Sequence, residues 1–186
     1  MILSLIFAAT AAPVIRYDPT DRALALSAPA SVVAAFRRAC FDPFPDGKKV
    51  AAVMGAAGNG FTAYKPTSQL ESQIQAMIPS SMWMSPTMTV RFIARGADVG
   101  DMPDPQCSVM ARVAADDQPE ALFSGLAGEV GLPAGKVVGK KRYRTSMWDI
   151  ARADGQRWRV IFGTQRESDG LHLRLSMLNL MPETRK

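Results

Sequence analysis

The sequence predicts a single α+β domain in which an antiparallel sheet of about five to six strands has helices packed on one face. Two patterns support this class: apolar residues recur at helical spacing in four segments, and they alternate with polar residues in several others. The last three alternating segments are joined by loops that contain Asp-Gly, which is typical of antiparallel hairpins. The 186 residues, 47% hydrophobic and 21% charged, suffice for one well-buried core.

Four helices are predicted from their start and stop signals. In the first, Val33, Phe36 and Cys40 share a face, which places a cysteine toward the core. The third begins at Ser68 with the spacing of a capping box and carries an apolar stripe that includes Leu70. The predicted helical segments are 29–42, 46–58, 68–79 and 117–131.

The segments in which apolar and polar residues alternate are predicted as strands. A three-residue loop at 153–155, ending in a left-handed glycine, pairs Arg152 with Gln156. That register places Trp148 and Trp158 on one face, whereas a two-residue loop would separate them, so the longer loop is favoured. The strand segments are 61–64, 82–95, 107–113, 142–152, 156–165 and 171–180.

The N-terminus has the pattern of a secretory signal. Residues 1–12 carry no charge, are almost wholly apolar and end in small residues that include an Ala-x-Ala match. The segment lacks a basic start and is shorter than an ordinary signal, so a buried first strand is the alternative. No transmembrane helix is expected, because spanning a bilayer takes about 20 apolar residues. We predict a periplasmic or secreted protein with a signal peptide at 1–12, an extended lead-in at 13–27 and the α+β domain at 28–186.

The chain contains two cysteines, Cys40 and Cys107. An even number of cysteines in an oxidising compartment is typical of disulfide pairing, so we predict one bridge between them. Two unpaired buried thiols are the alternative, and no C-x-x-C motif indicates redox catalysis.

A set of arginines is predicted to share one face of the sheet. If helices cover one face, the residues that alternate with the core lie on the other, and this set also includes the only histidine. Guanidinium groups bind carboxylates and phosphates through paired hydrogen bonds, so the hypothesis is a site for an anionic ligand. The alternative is a solvated surface on which long side chains cover apolar area. The predicted ligand-binding residues are Arg91, Arg95, Arg112, Arg157, Arg159, Arg174 and His172.

Positive charge is concentrated in one stretch of the chain. The whole chain carries a net charge of +5, and residues 136–159 hold eight basic residues against two acidic ones. Such a stretch is typical of a protein that meets an anionic envelope lipid, a polysaccharide or a protein partner. No nucleic acid partner is expected, because arrayed aromatic residues and nucleic-acid-binding signatures are absent. The basic patch comprises Lys140, Lys141, Arg142 and Arg144.

The sequence contains no decisive catalytic motif. His172 and Ser176 share a strand face but are about 13 Å apart at the rise of an extended chain, too far for a base and its nucleophile. Phosphate-loop and dinucleotide-binding fingerprints are absent, and we predict no metal or cofactor. The sequence therefore favours a non-catalytic binding or accessory module. The alternative is a small cell-envelope hydrolase with its site near His172 or in the loop 96–106.

Overall fold

The computed structural model describes residues 24–77, 80–94, 105–114, 119–140, 142–151, 155–168 and 170–180. These residues form an α+β fold around one sheet whose neighbouring strands are almost all antiparallel, which confirms the predicted class. The helices are α1 (Pro29–Phe36), α2 (Gly47–Gly55), α3 (Gln69–Met77) and α4 (Pro119–Glu129). The strands are β1 (Leu26–Ser27), β2 (Thr62–Ala63), β3 (Ser80–Met84), β4 (Met88–Ile93), β5 (Gln106–Val113), β6 (Val138–Lys140), β7 (Tyr143–Ala151), β8 (Arg157–Glu167) and β9 (Gly170–Asn179). The predicted signal peptide at 1–12 lies outside the described residues, as does most of the lead-in.

Two helices begin at the caps that the sequence predicts. The carboxylate of Asp46 accepts hydrogen bonds from two backbone N–H groups of the first turn of α2, at 3.0 and 3.2 Å. At α3 the hydroxyl of Ser68 accepts a hydrogen bond from the Glu71 N–H at 3.2 Å. Leu70 of the predicted apolar stripe is 60% exposed, however, so the stripe does not bury this residue. None of the helices in the described part of the chain is long and apolar enough to cross a membrane.

A disulfide fastens the end of the first helix to the sheet. After Phe36 the helix widens into a π-helical turn over Arg37–Phe41, closed by the Asp42 N–H donating to the Arg37 carbonyl at 2.9 Å. Cys40 in this turn is bonded to Cys107 on β5, with 5.4 Å between their Cα atoms. The predicted bridge is therefore confirmed, and both cysteines are fully buried.

The sheet has nine strands in the described residues, so the prediction of five to six strands is wrong. Part of the difference lies in β1 and β6, whose two or three residues are too few to show alternation, whereas β2 falls within the predicted strand 61–64. The predicted strand 82–95 is a hairpin of β3 and β4, closed by the Ser85 N–H donating to the Met88 carbonyl at 2.8 Å. The strand order is β2-β3-β4-β5-β9-β8-β7-β6, and β1 pairs with β5.

β1 is parallel to β5 and continues the sheet beyond the end of β4. The pairing of β4 with β5 reaches Ala111, and Leu26 of β1 then pairs with Arg112. The last two residues of the predicted lead-in, Leu26 and Ser27, therefore form a strand of the sheet.

The hairpin of β7 and β8 has the predicted register. Trp148 lies opposite Val160, and Ile150 lies opposite Trp158, so both tryptophans share a face. Gly155 has a φ of +78°, the left-handed conformation that the three-residue loop requires. The predicted partner Arg152 lies outside the described residues.

One face of the sheet joins side chains of α1, α2 and α4 in a single buried cluster. At its centre the ring of Phe162 makes edge contacts with Phe36 of α1 at 5.9 Å and with Trp148 of β7 at 4.9 Å between centroids. Phe44, which follows the π-helical turn, contacts Trp158 at 4.8 Å. We call the opposite face, formed by the residues that alternate with this core on β3–β9, the second face.

Candidate anion-binding face of the sheet

The second face carries those of the predicted arginines that the structure describes. Each of them alternates with core residues of its strand, as Arg91 does with Val90 and Phe92. Arg95 lies outside the described residues. The described arginines of the second face are Arg91, Arg112, Arg157, Arg159 and Arg174.

A row of four polar side chains crosses the second face at one register position. Arg112 on β5 lies opposite His172 on β9, which lies opposite Gln165 on β8 and, through it, Tyr143 on β7. We call these four residues the polar row. Neighbouring strands are about 4.8 Å apart, so the row is about 14 Å long. Arg174 lies two residues from His172 on the same side of β9. Arg174 and Arg112 are therefore diagonal neighbours on paired strands, with about 7–8 Å between their Cα atoms.

Two glycines lie against the long side chains of this row. A side-chain carbon on Gly170 would lie 3.6 Å from Cδ of Arg112, so this arginine lies along the backbone of β9. A side-chain carbon on Gly163 would lie 3.8 Å from the Tyr143 hydroxyl, which places this hydroxyl over the glycine. Gly163 is in turn the register partner of Arg174. Sequence reasoning did not assign these glycines, because only the strand order shows which side chain lies over each.

The carboxylates of the second face already have partners. Glu167 accepts a hydrogen bond from Gln165 and lies 3.5 Å from Arg142. Asp149 accepts two hydrogen bonds from Arg159, at 2.7 and 2.9 Å. The hydrogen bond from Arg159 holds the pKa of Asp149 below its ordinary value, and the same bond raises the pKa of Arg159.

The arginines are divided between two regions of the face. Arg112 and Arg174 flank His172 at one end, whereas Arg159 lies opposite Leu178, four residues further along β9. Four residues of a strand span about 13 Å, so Arg159 is at least that far from Arg174 along the strand direction. Arg91 lies on β4, separated from β9 by β5. Two of the five described arginines, Arg112 and Arg174, therefore lie beside His172. Of the other three, Arg159 is paired with Asp149, Arg157 lies two residues before it on β8, and Arg91 lies on β4.

The two described arginines of the predicted basic patch each have an acidic neighbour. Nη1 of Arg144 lies 3.2 Å from a carboxylate oxygen of Glu120 in α4, on the core side of β7. Arg142 is bound to Glu167, near the second face. Lys140 ends β6, and Lys141 lies outside the described residues. The two arginines of the patch thus have their acidic partners on different sides of the sheet.

On the described strands, no serine or cysteine lies directly opposite His172. Its partners across the strands are Arg112 and Gln165, and Ser176 lies four residues away on β9. Of the loop 96–106, the structure describes 105 and 106. Across the described ranges, no group of three or more His, Cys, Asp or Glu residues is placed to hold a metal ion. No protein-family model, no curated protein and no solved structure matches this chain.

Proposed function

We propose that this chain is an exported, non-catalytic binding module, periplasmic or secreted, that holds an anionic component of the cell envelope on its second face. In this proposal the helices cover the first face and leave the second face to the ligand. The disulfide between Cys40 and Cys107 supports export, because such bonds persist in oxidising compartments.

The observation that carries the proposal is the charge of the second face. Its described strands carry five arginines but two carboxylates, and both carboxylates are bound by neighbouring side chains. Arg174 is exposed and stands beside the polar row. A guanidinium group in this position can bind a carboxylate, sulfate or phosphate group with two parallel hydrogen bonds.

The shape of the polar row favours an extended polymer. A row about 14 Å long across four strands can contact several repeating units at once. Tyr143 is 52% exposed at one end of the row and adds an aromatic contact surface. We therefore favour an acidic polysaccharide, with an anionic lipid or an acidic protein as the outcomes that the test separates.

Retention of the oxidised protein on immobilised heparin tests the proposal. We expect Arg174→Gln and Arg112→Gln to elute at lower salt, because each removes a contact to an anionic group. Lys65→Gln, which removes the same charge from an exposed loop next to β2, should elute within a small margin of the wild type. The proposal is wrong if Arg142→Ser and Arg144→Ser lower the retention while Arg174→Gln and Arg112→Gln do not.

The same variants separate the classes of ligand. In parallel measurements heparin is replaced by vesicles that contain phosphatidylglycerol, or by an acidic peptide in solution. Binding to heparin that exceeds binding to both other ligands supports the polysaccharide assignment. Stronger binding to the vesicles or the peptide overturns that assignment.

A further inference from the structure

A shallow groove of about 660 Å³ lies between the outer sides of α1 and α2, on the helical side of the molecule. Its volume is within the range of about 300–1,000 Å³ that is typical of small-molecule sites. Half of its lining residues are short and apolar, and the other half are charged. The apolar ones are Ala34, Pro43, Ala52 and Val53, and the charged ones are Arg37, Arg38, Asp42 and Lys49.

Both walls of the groove are anchored in the core. On the inner side of the first wall, Phe36 is fully buried and Cys40 is bonded to the sheet. On the inner side of α2, Val50 and Met54 are at most 1% exposed. A groove with fixed walls does not have to be ordered when a ligand binds, which favours affinity.

The groove has more positive than negative charge. The carboxylate of Asp42 lies 3.7 Å from Arg37, and both side chains are about 60% exposed, so water weakens this pair. Nζ of Lys49 is 3.9 Å from Asp46, which is longer than a charge-assisted hydrogen bond. In the part of the chain that the structure describes, the side chain of Arg38 makes no ion pair. Three cations therefore face one carboxylate in the lining.

We propose that this groove binds an amphipathic anion with a single alkyl chain, such as a fatty-acid carboxylate. The alkyl chain lies on the apolar floor between Ala34 and Ala52, and the carboxylate lies between Arg38 and Lys49. Arg37 and Arg38 belong to the π-helical turn, and such turns often occur at functional sites. The site is separate from the second face and does not depend on the function proposed for that face.

Calorimetric titration of the oxidised protein with dodecanoate, below its micelle-forming concentration, tests this site. We expect saturable binding, and binding of dodecanol that is at least about fivefold weaker because it lacks the charge. Lys49→Gln and Arg38→Gln should each weaken dodecanoate binding by about fivefold or more. Lys48→Gln is the matched control, because Lys48 is the neighbouring residue of α2 and does not line this groove.

A steric variant and a variant on the second face complete the test. Ala52→Trp, at an exposed position of α2, should fill the groove and abolish binding while the protein still unfolds cooperatively. Arg174→Gln should leave the affinity for dodecanoate unchanged. The proposal is overturned if dodecanol binds as tightly as dodecanoate, if Lys48→Gln and Lys49→Gln weaken binding equally, or if Arg174→Gln alone abolishes it. Absence of saturable binding to the folded wild type overturns it as well.

Discussion

Removing the disulfide between Cys40 and Cys107 should lower the free energy of unfolding by about 4 kcal/mol. The two cysteines are 67 residues apart in sequence, and the chain-entropy model assigns about 4 kcal/mol to a loop of this length. Both residues are fully buried, so alanine is a better replacement than serine, whose hydroxyl would lack a partner. For a chain of this size, a loss of 4 kcal/mol corresponds to a decrease in Tm of about 8–16 °C.

Thermal and urea unfolding of the Cys40→Ala, Cys107→Ala double variant measures this loss. Reduced wild-type protein provides a second measurement, because it lacks the bond but keeps both side chains. We expect the double variant and the reduced protein to have similar free energies of unfolding, both well below that of the oxidised wild type. A loss of less than about 1 kcal/mol would contradict the chain-entropy argument, and alkylation of both thiols in native protein without reductant would show that the bond is absent.

Three further changes test the core and the ion pair. Phe162→Ala should lower the free energy of unfolding by about 3–5 kcal/mol in urea, because the ring is fully buried; a loss below about 1 kcal/mol would contradict the assigned core. Gly135→Ala should destabilise the protein by about 1–3 kcal/mol, because a side-chain carbon there would overlap the Trp148 ring, and an unchanged Tm would refute this packing. The lowered pKa of Asp149 means that its pair with Arg159 stabilises the fold at neutral pH and loses this effect as the pH falls through that pKa. In an NMR titration Arg159→Gln should raise the pKa of Asp149, and an unchanged midpoint would exclude the hydrogen bond as the cause.

Local patterns predicted the parts of the fold that depend on short stretches of sequence. The turn with a left-handed Gly155 fixes the register of β7 and β8, so the shared face of Trp148 and Trp158 follows from sequence. The cap at Asp46 is equally local. The alternation predicts one strand over 82–95, because it continues on both sides of Pro86 and does not indicate that the chain reverses there to form the hairpin of β3 and β4.

Strand order is the part that the sequence could not supply. The pairing of β5 with β9 joins residues 58 to 72 positions apart, and no local signal encodes it. Alternation therefore predicted which arginines share a face but not which are neighbours. The proximity of Arg112 to His172 and Arg174, and the distance of Arg159 from them, follow from the order of the strands. The pairing of Arg144 with Glu120 of α4 likewise depends on tertiary packing.

The most direct test of the proposed function is to map the ligand on the surface of the protein by NMR. A heparin-derived hexasaccharide is titrated into the labelled, oxidised protein, and backbone amide shifts are followed. We expect the largest shifts around Arg112, His172 and Arg174, with saturation, and their loss in Arg174→Gln. Shifts confined to the helices or to the basic patch, or equal shifts in the variant, would contradict binding at the second face.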